Sequence, residues 1–379
     1  MQKKIIDFYL GCIGNERGKF FSLFRSLFFI LSRFYYLAVK VRWLIYILGI
    51  ARQTKLPCTI VSVGNITWGG TGKTPAVIMI AKLLAEMGKR VTVLSRGYGR
   101  RKKKDKKSGI EIVSDGKGAI LSSREVGDEA YLLSKNLDDV PIIVGKNRIQ
   151  SGKYAIERFA SEVVVLDDGF QYWPLDRDID IVTIDSINPY GNGYLIPRGQ
   201  LREPISHLSR AHIFLLTRTD FVSREGLDRI IGNLERLNPN SIIIESVHRP
   251  KYLQGYFSGE KKGLDSIKDR RVVAFSSIGS PYSFEKTLEE LGAKIVKIFR
   301  FPDHYSYSRR DLREIESIWG TDLEKGDIFA VTTEKDGVRL ERIFSSEADR
   351  VFWEVWILKV ELEIVRGEEE WRRKMESYI

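Results

Sequence analysis

The stretch that decides the fold is VSVGNITWGGTGKTP, residues 61–75. The β-prone apolar run CTIVSVGN (58–65) leads into its glycine-rich loop, and Pro75 opens a run with helical composition. Glycines let backbone N–H groups close on phosphate oxygens, Lys73 can reach the outer phosphates, and the Thr74 hydroxyl can bind Mg²⁺. A strand, a phosphate-binding loop and a helix in this order predict a P-loop nucleotide-binding domain.

The P-loop predicts the ligands ATP and Mg²⁺. The usual pattern has glycine six residues before the lysine, where this chain has Thr67. A chance Gly-Lys-Thr in an ordinary loop is the alternative, and the flanking strand and helix argue against it. The expected nucleotide-binding residues are Thr67, Gly69, Gly70, Thr71, Gly72, Lys73 and Thr74.

A second motif, EVVVLDDGFQ (162–171), places two acids directly after an apolar strand. Asp167 and Asp168 have the layout of a Walker B carboxylate, which holds Mg²⁺ directly or through water. Two acids after a strand also form ordinary turns. Their combination with Lys73 and Thr74 favours a magnesium site that includes Thr74, Asp167 and Asp168.

Composition indicates a globular protein with room for two domains: 379 residues, 43% hydrophobic and 29% charged. The two cysteines, Cys12 and Cys58, lack metal or disulfide spacing and suit a reducing cytoplasm. The net charge of +11 is concentrated in residues 1–55 and 100–107. Since no nucleic-acid-binding motif is present, we expect no nucleic-acid partner. The basic run 100–107 is either a solvated loop or a contact for anionic lipid or an acidic substrate.

Residues 20–51 are apolar and aromatic but are interrupted by basic residues. No uncharged run reaches the roughly 18 residues that a spanning helix needs, and no cleavage site follows. One or two amphipathic helices that lie in a membrane interface are the favoured interpretation. A buried core helix with charges at its edges is the alternative. The interrupting residues are Arg25, Arg33, Lys40 and Arg42.

Strands alternate with helices after the P-loop, which predicts an α/β fold with a doubly wound, mostly parallel sheet. The P-loop, the Asp167 pair and Asp185 fall at carboxyl ends of strands, where ligands bind in such folds. The expected organisation is an amphipathic segment at 1–55, a P-loop domain at 56–225 and a smaller α/β domain at 226–379. Strands near 241–256 and 352–364 are predicted to form a hinge.

Eight blocks in order make the chain resemble the tetraacyldisaccharide 4′-kinases, the lipid A 4′-kinase family. The match extends over most of the length, and family members have threonine where Thr67 stands. Local departures from the family pattern are Ala130, Tyr172, Arg198 and Gln200. The blocks are VGNITWGGTGKTP, SRGYGR (95–100), GDEAYLL (127–133), DDGFQ (167–171), PRGQLREP (197–204), FSSIGSP (275–281), FPDHY (301–305) and TTEKDGVRL (332–340).

The resemblance implies transfer of the ATP γ-phosphate to the 4′-hydroxyl of a tetraacylated glucosamine disaccharide 1-phosphate. It implies a peripheral enzyme at the cytoplasmic face of the inner membrane, and we expect a monomer. A membrane-cycling regulatory ATPase of the deviant Walker A type is the alternative function. That class needs lysine at the position of Trp68, so Trp68 argues against it.

The catalytic candidates are Lys73, Asp128, His304 and Arg202, and the resemblance assigns the acid of the GDE block to Asp128 and the histidine of the PDH block to His304. Asp128 and His304 are expected to act as a dyad on the acceptor hydroxyl, because a carboxylate makes a hydrogen-bonded histidine a better proton acceptor. Asp128 could instead be a helix N-cap. Arg202 is a candidate for the transferring phosphate, or for a salt bridge with Glu203, which is also a candidate metal ligand. Arg96 and Arg100 are candidates for contact with substrate phosphate.

Overall fold

The computed structural model describes residues 11, 14, 19–98, 100, 109–320, 328–344 and 354–379. Cys12 and residues 101–107 of the basic run lie outside this part of the chain.

The chain divides into two compact units, each built from separate stretches of sequence. The P-loop unit comprises the described residues of Met1–Arg96, Gly145–Val247 and Ile364–Ile379, and the second unit those of Gly97–Val144 and His248–Glu363. This division differs from the single boundary expected near residue 225. The reason is that residues 97–144 pack with the C-terminal half of the chain, although they lie between two strands of the P-loop unit.

The P-loop unit is a parallel α/β sheet. Its strands lie in the order β8-β7-β6-β1-β5-β2, and each neighbouring pair is parallel. Their interiors are almost entirely buried, as expected for strands covered on both faces. The elements are α1 (Lys19–Ile47), β1 (Thr59–Gly64), α2 (Lys73–Glu86), β2 (Val91–Ser95), α5 (Arg148–Phe159), β5 (Val163–Asp167), β6 (Ile179–Asp185), β7 (Ile213–Thr217), α6 (Arg224–Leu237), the start of β8 (Ile242–Gly255) and α10 (Glu368–Glu376).

The second unit contains a further parallel set in the order β11-β10-β12-β13, with an antiparallel β3-β4 pair. Both β8 and β13 begin in one unit and end in the other, which agrees with the two long strands expected near 241–256 and 352–364. The remaining elements are β3 (Glu111–Asp115), α3 (Ser123–Val126), α4 (Asp128–Asn136), β4 (Pro141–Val144), β9 (Lys261–Lys262), β10 (Arg271–Ser276), α7 (Pro281–Glu290), β11 (Lys294–Arg300), α8 (Arg309–Gly320), β12 (Ile328–Thr333), α9 (Glu334–Leu340) and β13 (Val355–Arg366).

Helix α1 is a single continuous helix of 29 residues with two different faces. One face packs on the P-loop unit, where Tyr46 stacks on Trp173 and Phe29 lies edge-on to Tyr194. The other face leaves many large apolar side chains exposed. By length and composition, the segment Phe21–Ile47 would suffice to cross a membrane. The packed contacts distinguish α1 from a free helix.

Candidate functional site

The P-loop connects the end of β1 to the start of α2. Gly69 and Gly72 adopt φ values of 124° and 82°, which side-chain-bearing residues rarely tolerate. Gly72 is the N-cap of α2 and supplies no side-chain hydrogen bond to its first turn. Because N–H groups at a helix N-terminus attract anions, this turn is suited to phosphate oxygens.

Asn65, directly after β1, is completely buried, and its side chain is hydrogen-bonded to the P-loop. Its Nδ2 donates to the Thr67 carbonyl at 2.7 Å and to Thr71 Oγ1 at 2.9 Å. The Thr71 hydroxyl in turn lies 2.8 Å from Thr183 Oγ1 on β6. These bonds fix the loop without using the backbone N–H groups at the start of α2. Sequence analysis assigned no role to Asn65, although its place directly after a buried strand was a usable signal.

Asp168 is the charged centre of this site. It directly follows β5 and has a left-handed backbone conformation, with φ 58°. The Arg202 guanidinium donates one hydrogen bond of 2.8 Å to each of its two carboxylate oxygens. Lys73 Nζ lies 3.9 Å from Asp168 Oδ1. Burial opposes ionisation, but the hydrogen bonds and charge of Arg202 and the charge of Lys73 outweigh it and hold the Asp168 pKa well below its usual range. Asp168 is therefore a carboxylate throughout the working pH range.

Asp167 is held differently from its neighbour. Its Oδ2 accepts a hydrogen bond from Ser95 at the end of β2 at 2.8 Å. The buried Arg148 donates to the Asp167 backbone carbonyl at 3.0 Å and to the Gly145 carbonyl at 2.6 Å. Burial is the main cause that lowers the Arg148 pKa to about 10, so Arg148 remains a cation beside both acids. The two adjacent carboxylates thus have separate supports.

The segment with Arg202 runs antiparallel to the P-loop, with an isolated β-bridge between Thr67 and Leu201. Arg202 N donates to the Ile66 carbonyl and Trp68 N to the Gln200 carbonyl, both at 2.7 Å. Arg202 Nη1 also donates to Asn65 Oδ1 at 3.0 Å. Two of the ordered blocks, the P-loop block and PRGQLREP, are therefore hydrogen-bonded to each other in this site. A third block, DDGFQ, is joined to them through Asp168.

Glu203 faces a different set of partners. Its Oε2 lies 2.9 Å from His207 Nδ1 and 2.7 Å from Arg210 Nη1, and it is 3% exposed. Burial opposes ionisation, but His207 and Arg210 together lower the Glu203 pKa. The salt bridge that sequence analysis allowed between Arg202 and Glu203 is replaced by Arg202–Asp168 and Arg210–Glu203 pairs. In the described residues no group of three or more acidic, His or Cys side chains could hold a metal alone.

That absence is compatible with Mg²⁺ bound as in other phosphate sites. Magnesium commonly takes only one or two protein carboxylates and completes its coordination with phosphate oxygens and water. The oxygen donors present, the Thr74 hydroxyl and the Asp167 and Asp168 carboxylates, are of the type that Mg²⁺ prefers. On the other side of the loop, Arg218 pairs with Asp185 at 2.8 Å and donates to the Gly70 carbonyl at 3.0 Å.

The second unit contains the other candidate residues. Asp128 begins α4 and accepts hydrogen bonds from Arg339 Nε, at 3.0 Å, and from Arg342 Nη2. Arg339 is 1% exposed and also pairs with the fully buried Asp336 at 3.1 Å. Asp336 accepts in turn from the Ser277 hydroxyl at 2.7 Å. Three more of the ordered blocks, GDEAYLL, FSSIGSP and TTEKDGVRL, meet in this buried network.

His304 lies beside this network with a left-handed backbone, φ 60°. Its Nε2 is 3.5 Å from Lys335 Nζ and 4.0 Å from Asp303 Oδ2, and its ring lies edge-on to Tyr98. Burial and the charge of Lys335 lower the His304 pKa, against the opposing effect of Asp303. The Asp128 carboxylate bonds to arginines and not to His304, so the structure holds the two dyad candidates apart from direct hydrogen bonding.

Other sequence candidates have structural partners. Arg100 pairs with Glu111 at 3.5 Å, and Thr333 caps α9 by accepting from Asp336 N. Thr333 thus ends β12 and caps α9, which begins at Glu334. Arg339 received no role from sequence, although it lies one helical turn from Asp336 within a block already singled out.

The family model of tetraacyldisaccharide-1-P 4′-kinase (LpxK) matches residues 24–379. The chain belongs to this family. A tetraacyldisaccharide 4′-kinase of Halothermothrix orenii is 38% identical over 352 residues, 90% of each chain. One from Syntrophus aciditrophicus is 40% identical over 325 residues, covering 84% of this chain and 85% of that relative.

A crystal structure of LpxK from Aquifex aeolicus, described as an "apo" form in complex with ATP, resembles this chain with a TM-score of 0.71. The two are 30% identical, over 94% of this chain and all of that one. Membership in the tetraacyldisaccharide 4′-kinase family, an α/β P-loop fold and kinase activity are therefore confirmed expectations. The roles of individual site residues remain predictions.

Proposed function

We propose that this chain transfers the γ-phosphate of ATP to the 4′-hydroxyl of a tetraacylated glucosamine disaccharide 1-phosphate, in lipid A biosynthesis. Family membership over almost the whole chain supports the reaction. The observation in the chain itself that carries the proposal is the Lys73–Asp168–Arg202 cluster against an uncapped, glycine-rich helix N-terminus. Phosphoryl transfer depends on such positioning and charge neutralisation.

Residues of the P-loop unit would act on the donor. The loop backbone from Thr67 to Gly72 binds phosphate oxygens, and Lys73 neutralises charge on the outer phosphates. Magnesium, when bound, neutralises further phosphate charge, and Thr74 with Asp167 and Asp168 would hold it. Arg202 keeps Asp168 ionised and oriented, and its planar donors also suit phosphate oxygens.

Residues of the second unit would act on the acceptor. We propose Asp128 as the group that takes the proton of the 4′-hydroxyl, with His304 as its partner. The lowered pKa leaves the His304 imidazole neutral at pH 7, in the form that accepts a proton. Each Asp128 oxygen accepts one arginine hydrogen bond and keeps a second lone pair for the acceptor, and Arg342 is the more exposed of the two arginines.

The exposed apolar face of α1 supports a peripheral location on the cytoplasmic surface of the inner membrane. Basic residues such as Arg33 and Lys40 are interspersed with its apolar side chains, as in interfacial helices. A lipid acceptor requires an enzyme that works at this surface. We propose that the protein acts there as a monomer.

The deciding experiment incubates the purified chain with ATP, Mg²⁺ and a tetraacyldisaccharide 1-phosphate in mixed micelles, and follows the lipid by mass spectrometry. A mass gain of one phosphate is expected, and none for an acceptor already phosphorylated at the 4′-position. Lys73→Ala, with its fold checked by circular dichroism, should nearly abolish the gain because transition-state charge is no longer neutralised. Full activity in that folded variant, or an unchanged lipid with the native chain, contradicts the proposal.

A further inference from the structure

The packed face of helix α1 reaches residues that hold the phosphate site. The Tyr35 hydroxyl donates to the Arg202 backbone carbonyl at 2.9 Å. Farther along the helix, Arg42 Nη2 donates to the Gln171 carbonyl at 3.4 Å, and Gln171 Nε2 donates to the Asn65 carbonyl at 2.8 Å. Helix α1, which has the exposed apolar face, is thus also hydrogen-bonded to residues that contact the P-loop.

Of these contacts, the one between Tyr35 and Arg202 is linked most directly to Asp168. Arg202 N is held by the Ile66 carbonyl, and Arg202 O by Tyr35, so both backbone polar groups of this residue are fixed. From that fixed backbone the guanidinium reaches Asp168 with two bonds of 2.8 Å and Asn65 with one of 3.0 Å. Hydrogen bonds of this length depend on the position of the donor. A shift of the Arg202 backbone would therefore lengthen or misalign the bonds from its guanidinium to Asp168 and Asn65.

Tyr35 is suited to this task because its hydroxyl stays protonated. Burial is the largest cause that raises the Tyr35 pKa above its usual value. The ring packs against the apolar cluster of the P-loop unit that includes Ile66, Phe170 and Leu201. The hydroxyl is therefore a fixed donor at a half-buried position, where loss of the bond leaves the carbonyl short of a partner.

We propose that Tyr35 is a positioning residue for phosphoryl transfer, acting through Arg202 on Asp168. The inference rests on the proposed function for its activity assay. It gives α1 a second role besides the membrane: the helix that meets the lipid also sets the geometry of the phosphate site.

The chain offers a matched control in the next residue. Tyr36 belongs to the same helix, is 36% exposed, and lies under Lys40. Tyr35→Phe and Tyr36→Phe each remove one hydroxyl and keep the ring. Both variants should therefore bind vesicles containing anionic phospholipid equally well, since neither changes the apolar face.

Kinetics at a temperature well below both melting points test the role. Tyr35→Phe is expected to lower kcat roughly three- to tenfold, as for one hydrogen bond that matters in the transition state, with KM for the lipid acceptor unchanged. Tyr36→Phe should match the native chain. A purely structural Tyr35 would lower the melting temperature and leave kcat of the folded enzyme unaltered, which overturns the proposal.

A double-mutant cycle with Arg202→Ala identifies the route. If Tyr35 acts through the Arg202 side chain, Tyr35→Phe should cost nothing further in that background. An equal loss in both backgrounds contradicts the route. Binding of ATP with and without Mg²⁺ gives a readout independent of transfer: Tyr35→Phe should weaken the Mg²⁺-dependent gain in affinity, and Tyr36→Phe should not. No transfer by the native chain would refute the proposed function, whereas the binding comparison would still decide the role of Tyr35.

Discussion

His304 shows how a few neighbours set the chemistry of one residue. Burial and the Lys335 ammonium at 3.5 Å both disfavour the imidazolium, and Asp303 favours it only in part. The net result is a pKa below the usual 6.5. Protonation therefore occurs only in more acidic solution, and a reaction that needs the neutral ring keeps its activity at pH 7.

The acid limb of the kcat profile should accordingly have its midpoint below pH 6.5. Lys335→Met removes one of the charges that disfavour protonation, so the midpoint should move up towards 6.5. Lys335→Arg, which keeps the charge, is the control and should leave it near the native value. Profiles measured between about pH 5 and 9 check this. Coincident acid limbs in the native and Met variants would show that His304 does not limit the rate.

A second residue-scale prediction concerns the proposed pair. Asp128→Asn should lower kcat by about 10²–10⁴-fold, the range for a lost general base. If Asp128 and His304 act as a unit, adding His304→Ala should cost little more, because groups that act together are not additive. Since Arg339 and Arg342 hold Asp128 in this structure, the pair needs a rearrangement to meet. Losses that multiply cleanly in the double variant would mean that the two residues work separately.

Local motifs allowed half of the site to be predicted from sequence. Lys73 and Thr74 begin α2 directly after the glycine-rich loop, and Asp168 directly follows β5, so spacing alone indicates their chemistry. The Asp128–Arg339 bond joins residues far apart in the chain, and nothing local in either segment indicates the other. The partners of Glu203 were missed for a related reason. The sequence offers the neighbouring Arg202 as a partner, but in the folded chain Glu203 contacts His207 and Arg210.

At the scale of elements, α1 has one packed face and one exposed face. Residues such as Phe34 and Leu37 are 67% and 57% exposed, whereas Trp43 packs its ring on His207. The helix is therefore packed on one face and available to lipid on the other. Sequence predicts best those strands that are continuous apolar runs, such as β5 and β7. It missed β3, which is an antiparallel partner of β4, and the helix α10, whose composition is strongly charged.

The exposed face makes a specific prediction about membrane binding. Phe34→Glu combined with Leu37→Glu should reduce co-sedimentation with anionic vesicles at least tenfold, since two large apolar side chains no longer enter the interface. ATP affinity should be unchanged, because the packed face is intact. Val365→Glu, on β13 and 47% exposed, is the matched control. Equal sedimentation of the three proteins would remove α1 from the membrane contact.

At the scale of the whole molecule, each unit is assembled from segments distant in sequence. The sequence predicts one boundary, near residue 225, between the two α/β domains. The two units of the structure are instead defined by which segments pack together, and composition does not reveal that packing. The C-terminal segment illustrates this, because it returns to the P-loop unit. Tyr378 O accepts from Thr59 Oγ1 on β1 at 3.3 Å, and Tyr378 meets the ring of His212.

The last helix should therefore stabilise the nucleotide-binding unit. Trp371 is 1% exposed, and Trp371→Ala should cost about 3–5 kcal/mol through lost burial and the cavity left behind. Arg372, half exposed and paired with Glu368 on the same helix, gives the control Arg372→Ala, which should cost less than about 1 kcal/mol. Thermal unfolding followed by release of a fluorescent ATP analogue measures both. A melting point unaffected by Trp371→Ala would contradict the role of α10.

The return of residues 364–379 to the P-loop unit bears on how the protein is made. A ribosome exposes the phosphate-binding loop early, yet β1 and the Lys89 side chain bond to Tyr378 and Ile379, which are synthesised after the entire second unit. Domains usually fold in order of synthesis. The strands β2, β5, β6 and β7 that lie around β1 are all synthesised before the stretch His248–Glu363, but α10 can pack on the P-loop unit only after that stretch has left the tunnel. The P-loop unit of the nascent chain is thus expected to reach its full stability only after Trp371 and the residues around it have emerged from the ribosome.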